Sequence, residues 1–211
     1  FRSTLLEPEI TVGLPATLTA WTGIDAMVHA IEAYCVPDFH PMCDGIALEA
    51  LALIGQWLPW AVEEPGSVTA RGGMQIGACL AGVSFLKGLG MVHAISHMVG
   101  AEFDTHHGLT NAIVLPTVLR FNAPAISHKL PAMSRALGLE NADFESFDAA
   151  ICQMLDRLDI PRSLSDIGVP IEAARSIAEK AHQDAAAATN PREADVETIE
   201  RLVIEAITKG R

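Results

Sequence analysis

Basic charge and aromatic side chains are scarce in this 211-residue chain. Fourteen Lys and Arg stand against 26 Asp and Glu for a net charge of −12, and aromatics make up only 5%. That balance argues against a nucleic-acid groove or an anionic membrane surface as a partner. The four cysteines, Cys35, Cys43, Cys79 and Cys152, contain no CxxC pair and are too few for a disulfide framework. A thiolate zinc site is therefore not expected, and their apolar neighbours predict reduced, buried thiols in a cytoplasmic protein. No His-Asp dipeptide occurs, and no GxGxxG follows a strand-like run. The longest apolar run, near Ile76 to Leu86, is shorter than the about 20 residues that a bilayer span requires. No signal peptide is visible at the start. The first residue is Phe rather than Met, as expected for a piece of something longer.

What is abundant is apolar helix. Hydrophobic residues make up 50% of the chain and mean hydropathy is +0.29, with no alternating run long enough for a sheet. Residues 1–14 mix Pro, Thr and Glu and read as a linker or short extended lead-in to a single domain. The first helix follows Pro15 and runs to about Tyr34. A second fits Met42 to Val62, and a third is capped by Ser67 and continues to Phe85. The small residues from Gly72 to Gly82 suggest close helix–helix packing. Further helices are expected over Pro124 to Leu137, Phe144 to Leu158, Pro170 to His182 and Val196 to Ile207. The fold class is all-α, a bundle of eight or nine helices.

The organising stretch is Gly88 to Pro116, GLGMVHAISHMVGAEFDTHHGLTNAIVLP, which holds His93, His97, His106 and His107. His93 and His97 lie one helical turn apart on one face. The spacing predicts a helix, a tight bend and a second helix, aiming separated imidazoles at one point. Upstream, Asp25 and His29 are again four apart, in TAWTGIDAMVHAIEAY. That helix is apolar nearly all round, hence buried, and a buried aspartate needs a partner. The bland alternative is a surface pair on each helix. A divalent ion shared by the two segments answers both patterns, because carboxylate and imidazole one turn apart can bite one metal. His106 and His107, being adjacent, point differently, and spacing does not choose between them. His40, His128 and His182 read as solvated surface residues.

The segments GIDAMVHAIEAY and GLGMVHAISHMVGAEFDTHHGLTNAIVLP, with TNPR near the C-terminus, resemble the iron-containing (group III) alcohol dehydrogenases. The resemblance covers this whole chain but only the C-terminal half of that family's usual length. It implies a dehydroquinate-synthase-like helical C-terminal domain, with the N-terminal cofactor domain absent. It also implies metal ligands at Asp25, His29, His93 and His107, with Fe(II) as the native ion and Zn as a substitute. His97 matches a histidine beside the metal, where nicotinamide and substrate meet. A catalytic proton-handling role and a role in orienting a ligand or the cofactor both stay open for it. The metal would act as a Lewis acid on an alcohol or carbonyl oxygen during hydride transfer. NAD or NADP would be held by the missing domain, so the chain alone should show little activity. The expected partner is a small alcohol or aldehyde, with no nucleic acid, no membrane, and a homodimer favoured by the apolar surface.

The alternatives are a zinc polyol dehydrogenase or dehydroquinate-synthase-like enzyme, which use fewer histidine ligands, and a non-catalytic helical metal-binding domain. A maleylacetate reductase would lack the aspartate at position 25. An HD-type phosphohydrolase would need the adjacent His-Asp pair that does not occur.

Overall fold

Prolines and short polar side chains decide where the helices begin. In the computed structural model, which describes residues 3–211, Pro15 is the N-cap of α1 (Ala16–Cys35), and a proline opens α2 (Pro41–Glu63). Ser67 caps α3 (Val68–Ser84) as expected, its Oγ accepting from the Ala70 amide. His40 is a cap as well as an exposed residue, since its Nδ1 accepts from the Cys43 amide at 3.2 Å. Such caps satisfy amides that the first turn leaves without partners. There follow α4 (Met91–Phe103), α5 (His107–Ile126), α6 (Leu130–Ala136), α7 (Phe144–Arg157), α8 (Ala174–Ala181) and α9 (Val196–Thr208). Among the described residues there is no strand, and five short 3-10 turns complete the chain. One of these, Pro8–Thr11, lies in the lead-in expected to be extended.

The tight bend between α4 and α5 is made at Asp104, whose φ of 52° is left-handed and ends α4. Aspartate is one of the few residues that visits that region at modest cost. One helix boundary differs from expectation. The chain does not start a helix at Pro124: α5 runs through it to Ile126, a turn follows, and α6 begins beside Pro131. Proline is favoured in a first turn, whereas inside a helix it removes a backbone hydrogen bond, as at Pro116 and Pro124 of α5. Pro124 and Pro131 thus have opposite local roles from the same residue type. Pro170 likewise caps a 3-10 turn, Ile171–Ala173, which leads into the shorter α8. His128 sits in the turn before α6 and His182 caps the end of α8, both exposed.

The core is organised on α1 and α5. Every residue of α5 from Gly108 to Leu119 is buried, because α5 packs against α1, α4, α7 and α9. A helix covered on all sides has no polar face to show. On one flank α1, α2 and α3 pack together, with Gly77 of α3 against Ile54 of α2. Cys79 falls two residues on, about 200° around the helix. It is exposed, not buried, whereas Cys35 and Cys43 are buried and Cys152 is half-buried. All four are free thiols. By length and hydropathy α2 also qualifies as a membrane span, contrary to the reading that no apolar stretch is long enough. One side of it, including Ala47, Leu51, Ile54 and Leu58, is buried, and the helix packs against α1 and α3.

At Gly108, its second residue, α5 passes close against the backbone of α1. A Cβ there would lie 2.4 Å from the Trp21 carbonyl oxygen and 3.1 Å from the Asp25 Cβ. Backbone cannot yield as a flexible side chain does, so Gly108→Ala must push the two helices apart. Overpacking of this kind costs about 1–3 kcal/mol. The variant should unfold at a correspondingly lower urea concentration with an unchanged m-value.

Candidate metal centre

Three helices bring four ligand atoms together. Asp25 and His29 come from one face of α1, His93 from the first turn of α4, and His107 is the first residue of α5. Measured from Asp25 Oδ1, the Nε2 atoms of His29, His93 and His107 lie at 3.9, 3.7 and 3.5 Å. One ligand atom from each of the four falls within 4.8 Å of all the others. Four donors about 2.0–2.2 Å from a common tetrahedral centre would stand about 3.5 Å apart. The rings also pack on one another, His29 stacking on His93 with centroids 4.6 Å apart.

His106 does not join them. It caps α5, Nδ1 accepting from the Leu109 amide at 3.4 Å, and its ring lies 5.0 Å from that of Trp21. Of the two neighbours, the first helical residue faces the centre and the cap faces away. His97 lies beside the cluster, its ring 5.6 Å from that of His107 and nearly parallel to it.

Side chains given no role in the site by the sequence reading hold these residues in place. Glu32, buried on α1, accepts from His93 Nδ1 at 2.7 Å and from the amides of Gly90 and Val92 at 3.0 and 2.8 Å. It therefore caps α4 across the helix interface and turns His93 Nε2 towards Asp25. The approach needs Gly90, where a Cβ would come within 2.7 Å of a Glu32 oxygen. The Met91 amide between them is taken by Asn190 Oδ1 at 3.1 Å. Asn190 and Asn122 of α5 exchange two further hydrogen bonds. The asparagine of TNPR thus ties α4, α5 and the C-terminal loop. Asp184, 87 residues from His97, accepts from its Nδ1 at 3.0 Å. Asn111, one turn after His107, donates to Asp25 Oδ1 at 2.6 Å.

The signals for two of these were present. Glu32 is a second carboxylate on the apolar helix that carries Asp25, and Asn111 is an amide in the largely apolar run of α5. Nothing local singles out Asp184.

Charge distribution in the site is uneven. Burial works to raise the Asp25 pKa, but His93, His29, Asn111 and His107 together outweigh it and hold the carboxyl at about 2. Burial pushes His29 down to about 4 and also lowers His107. For His93 burial acts downward too, yet hydrogen bonds to Asp25 and Glu32 override it and raise the pKa to about 9. At neutral pH, Asp25 is anionic and His29 neutral, as ligation requires. For the cluster to hold a metal, His93 would have to release a proton.

These shifts set the pH dependence of the chelator-treated protein. His29 keeps its proton off in the fold, so its contribution is present above the ordinary value of 6.5 and is lost as pH falls towards about 4. His93 holds its proton in the fold, so its contribution is present below 6.5 and is lost as pH rises through about 9. Urea midpoints should therefore peak near pH 6.5. The difference between wild type and His29→Gln should change slope between pH 4 and 6.5 and be flat above it.

Comparison with known proteins agrees with this architecture. Residues 19–207 match the family described as "Fe-containing alcohol dehydrogenase family, C-terminal". A probable alcohol dehydrogenase EutG of Escherichia coli is 36% identical over 203 residues, 96% of this chain and 51% of that protein. The NAD-dependent methanol dehydrogenase of Bacillus methanolicus is 36% identical, with 96% of this chain and 55% of the relative covered. The crystal structure of a 1,3-propanediol oxidoreductase superposes with a TM-score of 0.91 at 36% identity, covering 95% of this chain and 54% of the other. The chain spans about half the length of the curated relatives it matches. It belongs to the Fe-containing alcohol dehydrogenase family, as that family's all-helical C-terminal domain.

Proposed function

We propose that Asp25, His29, His93 and His107 hold one divalent cation, and that this chain is the metal-bearing part of an NAD(P)-dependent alcohol dehydrogenase. The observation that carries this reading is the convergence of the four ligand atoms from three helices within 4.8 Å. Three imidazole nitrogens and one carboxylate oxygen suit Fe(II) or Zn(II) rather than Mg(II) or Ca(II). The family name favours iron as the native ion, and zinc would serve as its substitute. A cation in that position supplies Lewis acidity to an alcohol or carbonyl oxygen.

The protein's own groups do the rest. Asp25, kept anionic by its neighbours, contributes the negative charge that retains a cation. Glu32 accepts a hydrogen bond from His93 Nδ1–H, so the proton that His93 would give up to a cation is the one on Nε2, which leaves the arrangement common to histidine ligands. His97 stands outside the four, partly open to solvent, with Nδ1 committed to Asp184. Its Nε2 is then the nitrogen placed to exchange a proton between a substrate hydroxyl and water.

The substrate in this reading is a small alcohol or aldehyde. Relatives are named for methanol, 1,3-propanediol and lactaldehyde, all short and polar. The nicotinamide cofactor would sit on the remainder of a protein of the relatives' length, facing this domain across the metal. These 211 residues should accordingly bind metal without turning over alcohol in an NAD(P)H assay.

Titrating the chelator-treated chain with Zn(II) should show one equivalent bound and a raised Tm. His107→Ala should lose stoichiometric binding. Glu32→Gln, which leaves the ligands intact, should weaken it about 10–100-fold. Absence of a bound ion in the wild-type chain, with no shift in Tm, would sink the proposal.

A further inference from the structure

Arg71 of α3 is 2% exposed, yet none of its hydrogen-bond partners among the described residues is a carboxylate. Its Nε donates to the Pro65 carbonyl at 3.1 Å, Nη1 to Thr19 Oγ1 at 2.7 Å and Nη2 to the Leu14 carbonyl at 3.2 Å. All three acceptors are neutral. A guanidinium has five N–H donors, so two are left over, and a buried charge is costly unless it is paired. The same side chain lines a cavity of about 180 Å³ between the lead-in, α1 and α3. Gln75, one turn further along α3, lines it too. Its Nε2 donates to the Glu7 carbonyl at 2.9 Å, which fixes the orientation of the amide and leaves Oε1 buried with no partner. The hydroxyls of Thr11 and Thr22, also in the wall, are donated to the Pro8 and Leu18 carbonyls, so neither supplies Gln75. Leu14, Met74 and Ala78 give the wall an apolar stretch.

We propose that this cavity is a binding site for a short hydroxycarboxylate, separate from the metal centre. The carboxylate takes the two remaining guanidinium donors, a charge-assisted pairing to which the arginine fork is suited. The hydroxyl donates to Gln75 Oε1, and the carbon chain lies against the apolar stretch. A carboxylate without a hydroxyl leaves the Gln75 oxygen unmet. An alcohol without a carboxylate leaves the guanidinium without a counter-charge. Thr19 and Thr22 precede Asp25 on α1, so the site shares a helix with the four candidate ligands but none of their side chains. The inference therefore stands whether or not those four hold a cation. Because Thr11 and Leu14 form part of the wall, an occupant also ties the lead-in to the helices beneath it.

The test uses the chelator-treated chain, so that no metal offers a carboxylate a second place to bind. Lactate, propionate and propanol are the probes, since propionate lacks only the hydroxyl of lactate and propanol lacks the charge. With arginine isotope-labelled for NMR, the Arg71 Nε–H resonance should move saturably with lactate at constant ionic strength. Propionate should bind about tenfold more weakly, as expected for one lost hydrogen bond, and propanol should leave the resonance in place. Gln75→Leu should bring lactate down to the affinity of propionate. Ala78→Trp, which fills the cavity from an exposed position, should abolish the response to lactate. An Arg71 resonance that ignores lactate, or equal affinities for lactate and propionate, would overturn the proposal and leave Arg71 as a strut between the lead-in and α1. The wild-type titration decides the point by itself should either variant fail to fold.

Discussion

A single buried carboxylate, that of Glu32, is the contact on which the site depends. Left alone in the core it would be intolerable. Here it receives two backbone amides and one imidazole, all from the first turn of α4. The interaction is reciprocal. An N-terminal turn carries partial positive charge and unpartnered N–H groups, while the carboxylate carries the charge and lone pairs to meet them. Because Glu32 is seven residues beyond Asp25 on α1, fixing α4 upon it also sets the height of His93 relative to Asp25. The cap, the helix docking and the aim of the imidazole are one interaction.

The second constraint is the close passage of α5 across α1 at Gly108. It brings His107 within 3.5 Å of Asp25, and the burial of α5 from Gly108 to Leu119 leaves its first turn little room to shift. Four groups that would repel or desolvate one another in isolation are then held in one place. Their ionisation shows the resulting compromise. Asp25 is driven down, His29 is driven down by burial, and the proton concentrates on His93 between two carboxylates. In the role proposed for this site, a divalent cation would relieve the same crowding by taking all four lone pairs at once.

Much of this was legible along the chain. Helical spacing of apolar residues located the helices, and the pairs Asp25/His29 and His93/His97 marked the faces of interest. The resemblance to iron-containing alcohol dehydrogenases selected His107 over His106, which spacing could not do. The structure gives the local reason, since His106 is spent as a cap. Where the reading failed, one residue type had two meanings. Pro124 lies inside α5 while Pro131 opens α6. Cys79 has apolar neighbours in sequence yet faces outward, because burial depends on which side of α3 is covered. The length and hydropathy of α2 pass for those of a membrane span, and its packing of one side against α1 and α3 is not visible in its composition.

Periodicity is a local property, one or two turns long, and so residue order alone determined an all-helical chain with ligand-type side chains on two helix faces. The partners of those side chains are another matter. Asp184 reaches His97 across 87 residues, Glu32 reaches His93 across 61, and Asn190 joins Met91 across 99. Contacts at such separations leave no repeat in the sequence. They exist only once helix docking has fixed distances that no local spacing encodes.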